Sequence, residues 1–177
     1  MVADSGPLIH LAQLGKIRLL RTIFEDVLIV PAVKREVVDE GIRQGFPDAS
    51  LVADALAEGY IAVRKITGSA SSRASKLSME EKISKPDAES LCLARTSKIP
   101  ILTDERGLSK LAKMYGLEVW DTWTILLEAL RLGLIEKGEI DQAIHELSLK
   151  RHKVSLSRAK GILDAAERIT TSRTIRL

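Results

Sequence analysis

The chain has 177 residues, 45% of them hydrophobic and 29% charged, with a net charge of +3. That length suits one domain with a small appendage, and that apolar content supports a packed core rather than a disordered polyelectrolyte. No apolar run approaches the roughly 18–20 residues of a membrane span. The single cysteine rules out an intrachain disulfide and a multi-cysteine zinc site, and it makes a reducing, cytoplasmic setting the expectation. The start, Met1-Val2-Ala3-Asp4, has neither the basic flank nor the apolar stretch of a secretory signal.

In chain order, Met1-Val2-Ala3 is a short apolar lead, read as a strand, that ends at Asp4. Gly6-Pro7 opens a helical pattern through Leu8, Ile9, Leu11, Ala12 and Leu14, broken at Gly15. A second short helix carries Ile17, Leu19, Leu20, Ile23 and Phe24. Val27-Leu28-Ile29-Val30 is a continuous apolar run rich in β-branched residues, which suits a strand covered on both faces. Pro31 fits the first position of a helix that ends near Gly41. Asp48 is placed to cap a helix through Ala57, closed by Gly59, and Tyr60-Ile61-Ala62-Val63 follows as a strand.

Residues 67–79, with five serines among basic residues, read as a long exposed loop or a loop with a marginal helix. A helix from Pro86 through Ala94 comes next. Ile99 to Thr103 is a strand running into Asp104, Leu108 to Tyr115 a helix ending at Gly116, and Leu117 to Trp120 a strand running into Asp121. Helices over 122–132, 139–149 and 156–169 complete the chain. Strands alternating with helices predict an α/β fold: a central parallel sheet with helices on both faces, followed by C-terminal helices. The expected division is 1–133 for the sheet domain and 134–177 for a helical extension packed on the same domain.

Charge is uneven along the chain. From His145 to Leu177, eight basic residues (Lys150, Arg151, Lys153, Arg158, Lys160, Arg168, Arg173, Arg176) face three acids (Glu146, Asp164, Glu167). Such a tail meets phosphates or an acidic partner, or is simply a solvated helical surface. Aromatics are only 3% of the chain, so a nucleic-acid substrate would be held by charge and shape more than by stacking.

In parallel α/β sheets the ligand crevice lies beyond the carboxyl ends of the strands. Three predicted strands end in aspartate there: Asp4, Asp104 and Asp121. One such Asp is ordinary, since it caps helices and favours turns, and Asp104 could serve its own following helix in that way. Several acids in one crevice repel one another unless a cation offsets them. Glu36 lies three residues after Val33 and beside Val37, which puts it on the inward-facing side of the helix after Pro31. There it needs a partner, either a salt bridge at the rim or a place reaching toward Asp4. Asp87 and Glu89 stand in the first turns of the next helix, where the dipole favours acids in any case. Asp87 lies closer than Glu89 to the face of Ala88, Leu91 and Cys92. Oxygen donors without His or Cys ligands suit Mg²⁺ or Mn²⁺, ions that serve phosphodiester hydrolysis. His10, His145 and His152 have no ligand spacing, and His10 reads as a satisfied or surface histidine. Cys92 reads as packed core. No Gly-rich phosphate loop is present, and the first Asp lacks the second Asp two residues on, where Gly6 stands, that an aspartyl-nucleophile phosphohydrolase carries.

Four segments in this order resemble the PIN-domain ribonuclease family, in particular its VapC-like prokaryotic branch. They are Asp4-Ser5-Gly6-Pro7-Leu8-Ile9-His10-Leu11-Ala12, Val30-Pro31-Ala32-Val33-Lys34-Arg35-Glu36-Val37, Asp87-Ala88-Glu89-Ser90-Leu91-Cys92-Leu93-Ala94, and Ile101-Leu102-Thr103-Asp104-Glu105. The remaining helices are similar to a PIN subgroup with a helical C-terminal extension. The resemblance implies a Mg²⁺- or Mn²⁺-dependent endoribonuclease, often the toxin of a toxin–antitoxin pair and commonly a homodimer. It also implies an antitoxin protein that inserts a segment into the acidic crevice. By position Asp4, Glu36 and Asp104 carry over as catalytic metal ligands, with Asp87 or Glu89 as the fourth. Asp121 stands where the subgroup usually has glycine, as an additional ligand or a cap. The competing expectation is a catalytically silent module that binds RNA or protein on the same scaffold.

Overall fold

The computed structural model describes residues 1–150, 152 and 154–174. Arg151, Lys153 and Arg176 of the basic tail lie outside the described residues. The elements in order are β1 (Val2–Ala3), α1 (Ser5–Gln13), α2 (Leu19–Ile23), β2 (Val27–Ile29), α3 (Pro31–Lys34), a π-helical stretch (Arg35–Glu40) and α4 (Gly41–Arg43). There follow α5 (Pro47–Ala57), β3 (Ile61–Val63), α6 (Ser69–Glu81), α7 (Lys85–Ser97), β4 (Ile101–Leu102), α8 (Arg106–Met114) and β5 (Val119–Trp120). Helices α9 (Thr122–Leu132), α10 (Lys137–Leu149) and α11 (Leu156–Thr174) close the chain.

All five strands are parallel, in the order β3-β2-β1-β4-β5. The register sets Val2 beside both Leu28 and Ile101, and Leu102 beside Trp120. Burial explains the order. Central β1 and β4 are wholly buried, whereas Ala62 and Val63 of edge strand β3 are exposed and edge strand β5 is half-buried. The chain winds outward from β1 to β3, then returns to β4 on the other side of β1. With right-handed crossovers, that reversal sends α1–α5 to one face and α6–α8 to the other. The switch point falls between β1 and β4, whose carboxyl ends deliver Asp4 and Thr103-Asp104.

The chain divides into two compact units, Met1–Thr122 and Trp123–Leu177. The core of the first is aliphatic, with Leu8, Leu11, Leu20, Ile29, Ile61, Leu91, Ile101, Leu102 and Leu108 fully buried. In the second, α10 packs against α11, and Ile140, Ala143 and Leu147 of α10 and Ile162 and Ala166 of α11 are buried. Its Glu136 and Glu139 form a reciprocal capping box at the start of α10.

Three local expectations are corrected. Residues 69–81 are a helix, not a loop: Ala70, Ala74 and Leu77 fall on one face and bury it against α7. Small residues at that spacing look weak in sequence, yet they let two helices approach closely. Asp48 does not cap α5; Phe46 is the cap residue and Asp48 stands in the first turn, where the helix dipole favours it. The helix from Pro31 runs on past Gly41 to Arg43, with the π-helical stretch inside it.

Gly41 permits a close crossing. A Cβ there would stand 2.7 Å from Ala49 Cβ on α5. Gly41→Ala is therefore expected to destabilise the protein by about 1–3 kcal/mol, read as a lower midpoint in urea unfolding.

Candidate active site

Asp4 leaves β1 as the N-cap of α1 and is only 5% exposed. Its Oδ1 accepts from the Ser5 N–H at 2.8 Å and its Oδ2 from the Thr103 hydroxyl at 3.0 Å. The Thr103 hydroxyl itself accepts from the Glu105 N–H at 3.1 Å, which orients its proton toward Asp4. Glu36 stands in the first turn of the π-helical stretch. The π-helical stretch adds a residue to a turn and shifts the phase of the side chains, a device common at functional sites. Val33, Val37 and Val38 take the inner face, so Glu36 is exposed at the rim rather than on the inward stripe. From there its Oε2 accepts from Ser5 Oγ at 2.8 Å. Ser5 thus ties Asp4 and Glu36 together, one through its N–H and the other through its hydroxyl.

Burial pushes the Asp4 carboxyl up to about 6, and the Asp87 carboxylate pushes in the same direction. The Ser5 N–H and Thr103 hydroxyl oppose this, and Glu36 adds a smaller upward push. Asp4 therefore feels two carboxylates from other elements, Glu36 from the π-helical stretch and Asp87 from α7. Ser84 caps α7, its Oγ accepting from the Asp87 N–H at 3.2 Å, which fixes that first turn. Glu89 is half-buried on the same helix.

Asp104 faces other partners. Its Oδ2 accepts from Thr122 Oγ1 at 2.6 Å and lies 2.7 Å from His10 Nδ1. Its Oδ1 accepts from the Thr122 N–H at 3.0 Å. Asp104 does not cap α8, whose N-cap is Glu105; it binds the first residue of α9 instead. Burial would raise its pKa, but the His10 and Thr122 bonds outweigh burial and hold it below the usual carboxylate value. Thr122→Val keeps the shape and the N–H bond but deletes the hydroxyl donor. It is expected to cost about 1.5–3 kcal/mol and to raise the Asp104 pKa, measured by unfolding at neutral pH and carbon-detected titration. Asp121 lies half-buried at the end of β5, directly before α9.

Sequence reading passed over three polar residues here, Ser5, Thr103 and Thr122, and took His10 as a satisfied or surface histidine without naming Asp104 as its partner. Each hydroxyl adjoins a strand-end acid, in Asp4-Ser5, Thr103-Asp104 and Asp121-Thr122. That repeated Asp–hydroxyl pairing is the signal that could have found them. His10 follows Gly6 by four residues, on the same face of α1, and a Cβ on Gly6 would stand 3.8 Å from Asp104 Cβ.

Among the described residues, no group of three or more His, Cys, Asp or Glu side chains is arranged to hold a metal ion. The donor chemistry nevertheless fits one. Asp4, Glu36, Asp87 and Asp104 supply oxygen donors alone, and the charged form of Asp4 is disfavoured first by burial and then by the Asp87 and Glu36 carboxylates, a cost that a hard cation would relieve.

A family model described as a PIN domain matches residues 1–168. The chain belongs to the PIN-domain family. No curated protein and no solved structure matches it. Membership brings a nuclease-type function, hydrolysis of phosphodiester bonds, and the five-stranded parallel sheet is the PIN-like α/β fold. No helix among the described residues is long and apolar enough to cross a membrane.

Proposed function

We propose that this PIN protein is an endoribonuclease that cleaves RNA with Mg²⁺ or Mn²⁺ held by Asp4, Glu36, Asp87 and Asp104. The single observation that carries this is Asp4, buried at the switch point of the sheet and tied through Ser5 to the Glu36 carboxylate. Of the two acids on α7, Asp87 is preferred as the fourth because its carboxylate acts on Asp4. A bound divalent ion supplies a Lewis acid for phosphate oxygens and makes water a better nucleophile at neutral pH. The protein's own residues do the positioning. Ser5 holds Asp4 and Glu36 in one frame, Thr103 fixes the second oxygen of Asp4, and His10 with Thr122 fixes Asp104. The low aromatic content leaves the RNA strand to be held by Lys and Arg side chains. By resemblance to VapC-like proteins, the role is that of a cytoplasmic toxin, homodimeric and paired with an antitoxin.

The test is incubation of end-labelled RNA with the purified chain in Mn²⁺, Mg²⁺ or EDTA. Cleavage with either ion and none in EDTA is the expected result; equal RNA decay in all three contradicts the reading. The second reading is a module that binds RNA or protein without chemistry. It is favoured by the three donors already engaged on Asp104, and it predicts intact RNA in every condition.

A further inference from the structure

At the amino ends of the strands, opposite the acids, a cavity of about 330 Å³ opens before the first residues of β4 and β5. Its walls include Arg95, Lys98, Pro100, Tyr115, Leu117 and Glu118. The volume is at the lower end of the range for small-molecule sites, roughly 300–1,000 Å³. Asp4 and Asp104 follow their strands, whereas these residues precede theirs, so the cavity is separate from the acid cluster.

Several exposed cations elsewhere pair with acids, Arg18 and Arg21 with Glu58, Lys34 with Asp39, Arg43 with Glu40, Lys76 with Glu80 and Arg131 with Glu128, and others such as Arg64, Lys65 and Lys110 stand in open solvent away from this cavity. Arg95 and Lys98 have no carboxylate partner among the described residues. Arg95 is instead stacked on the Tyr115 ring, 3.7 Å from its centroid. A stacked guanidinium is fixed in orientation yet keeps its N–H edges free for an anion. The single acid of the lining, Glu118, is engaged: its Oε1 accepts from Trp120 Nε1 at 2.7 Å. Favourable interaction with the C-terminal dipole of α7 accounts for basic residues at that helix end. It does not account for a cavity between them and the end of α8, nor for a tyrosine holding the guanidinium flat.

We propose that this cavity is a phosphate-binding site, in which the Arg95 guanidinium and Lys98 ammonium grip a phosphate group of an RNA strand or a mononucleotide. The proposal goes beyond the nuclease reading and does not depend on it, because it concerns binding at the amino ends of the strands.

The test is fluorescence anisotropy with a short labelled single-stranded RNA, and calorimetry with AMP, both in EDTA so that no metal-dependent cleavage intervenes. The double variant Arg95→Ala/Lys98→Ala is expected to weaken whichever probe binds by about tenfold. For RNA it also lowers the slope of log affinity against log salt by about 1.4, the value for two single-strand phosphate contacts. Loss confined to RNA assigns the strand as the source of the phosphate; loss of AMP binding assigns the mononucleotide. Glu118→Gln removes the one negative charge of the lining and is expected to tighten binding, a gain that no folding defect can imitate. Two results overturn the proposal: neither probe binds the wild-type chain, or both variants leave the affinity unchanged. Neither bears on whether RNA is cut when metal is present.

Discussion

Asp4→Asn is expected to lower Mn²⁺-stimulated RNA cleavage at least about a hundredfold while leaving the fold intact. A divalent ion contributes several kcal/mol to a phosphoryl-transfer barrier, and each 1.36 kcal/mol is tenfold in rate. Asp4 is the acid at the centre of the electrostatic cluster, so removing its charge removes the main reason for an ion to settle there. Asparagine is nearly the same size. Its one oxygen can still accept from the Ser5 N–H or the Thr103 hydroxyl, so the cap of α1 survives in part. Single-turnover cleavage rates of the two proteins, with circular dichroism spectra to verify the fold, provide the measurement. An unchanged rate would show that Asp4 has no part in the chemistry.

The second large effect is on stability in the absence of metal. The Asp4 carboxyl titrates near 6 in the folded state against an ordinary value of 3.8. Below about 3.8 it is protonated whether the chain is folded or not and costs nothing. Between 3.8 and 6 the folded chain retains a proton that the unfolded chain has lost, so stability falls as pH rises. Above 6 the cost is complete, at about 3 kcal/mol. For a chain of this size that corresponds to a drop of roughly 6–12 °C in the melting midpoint. Asp104 acts in the opposite sense. Its lowered value adds stability that is lost only as pH falls below the ordinary carboxylate range, so the two effects occupy different windows. Thermal melts in EDTA across pH 4 to 8 should show the fall in the wild-type chain, and Asp4→Asn should flatten it. A wild-type midpoint that rises steadily over that span would contradict the burial and repulsion assigned to Asp4.

Much of the fold was legible because parallel α/β proteins write it locally. The apolar run at residues 27–30, Pro31 at a helix start, and Gly15, Gly59 and Gly116 at positive φ each mark an element or its end. Parallel pairing then follows from the alternation of strands and helices. Helix α6 was not legible, since its buried face is two alanines and a leucine among serines and its stability comes from α7. The π-helical stretch was hidden as well. An extra residue in a turn leaves no compositional mark, and the wheel that placed Glu36 inward assumes 3.6 residues per turn. The strand-end positions of Asp4 and Asp104 were readable, but not the direction of their side chains. Asp104 turns toward His10 and Thr122, residues 94 and 18 positions away, and no local pattern in the chain announces those bonds.

The central claim is that carboxylates from separate elements share one divalent ion. Calorimetric titration of the metal-free protein with Mn²⁺ at neutral pH tests it most directly. The account predicts saturable binding to the wild-type chain and its loss in Asp4→Asn, with a rise in melting midpoint confined to the wild type. Equal heats and equal midpoints for the two proteins would contradict it.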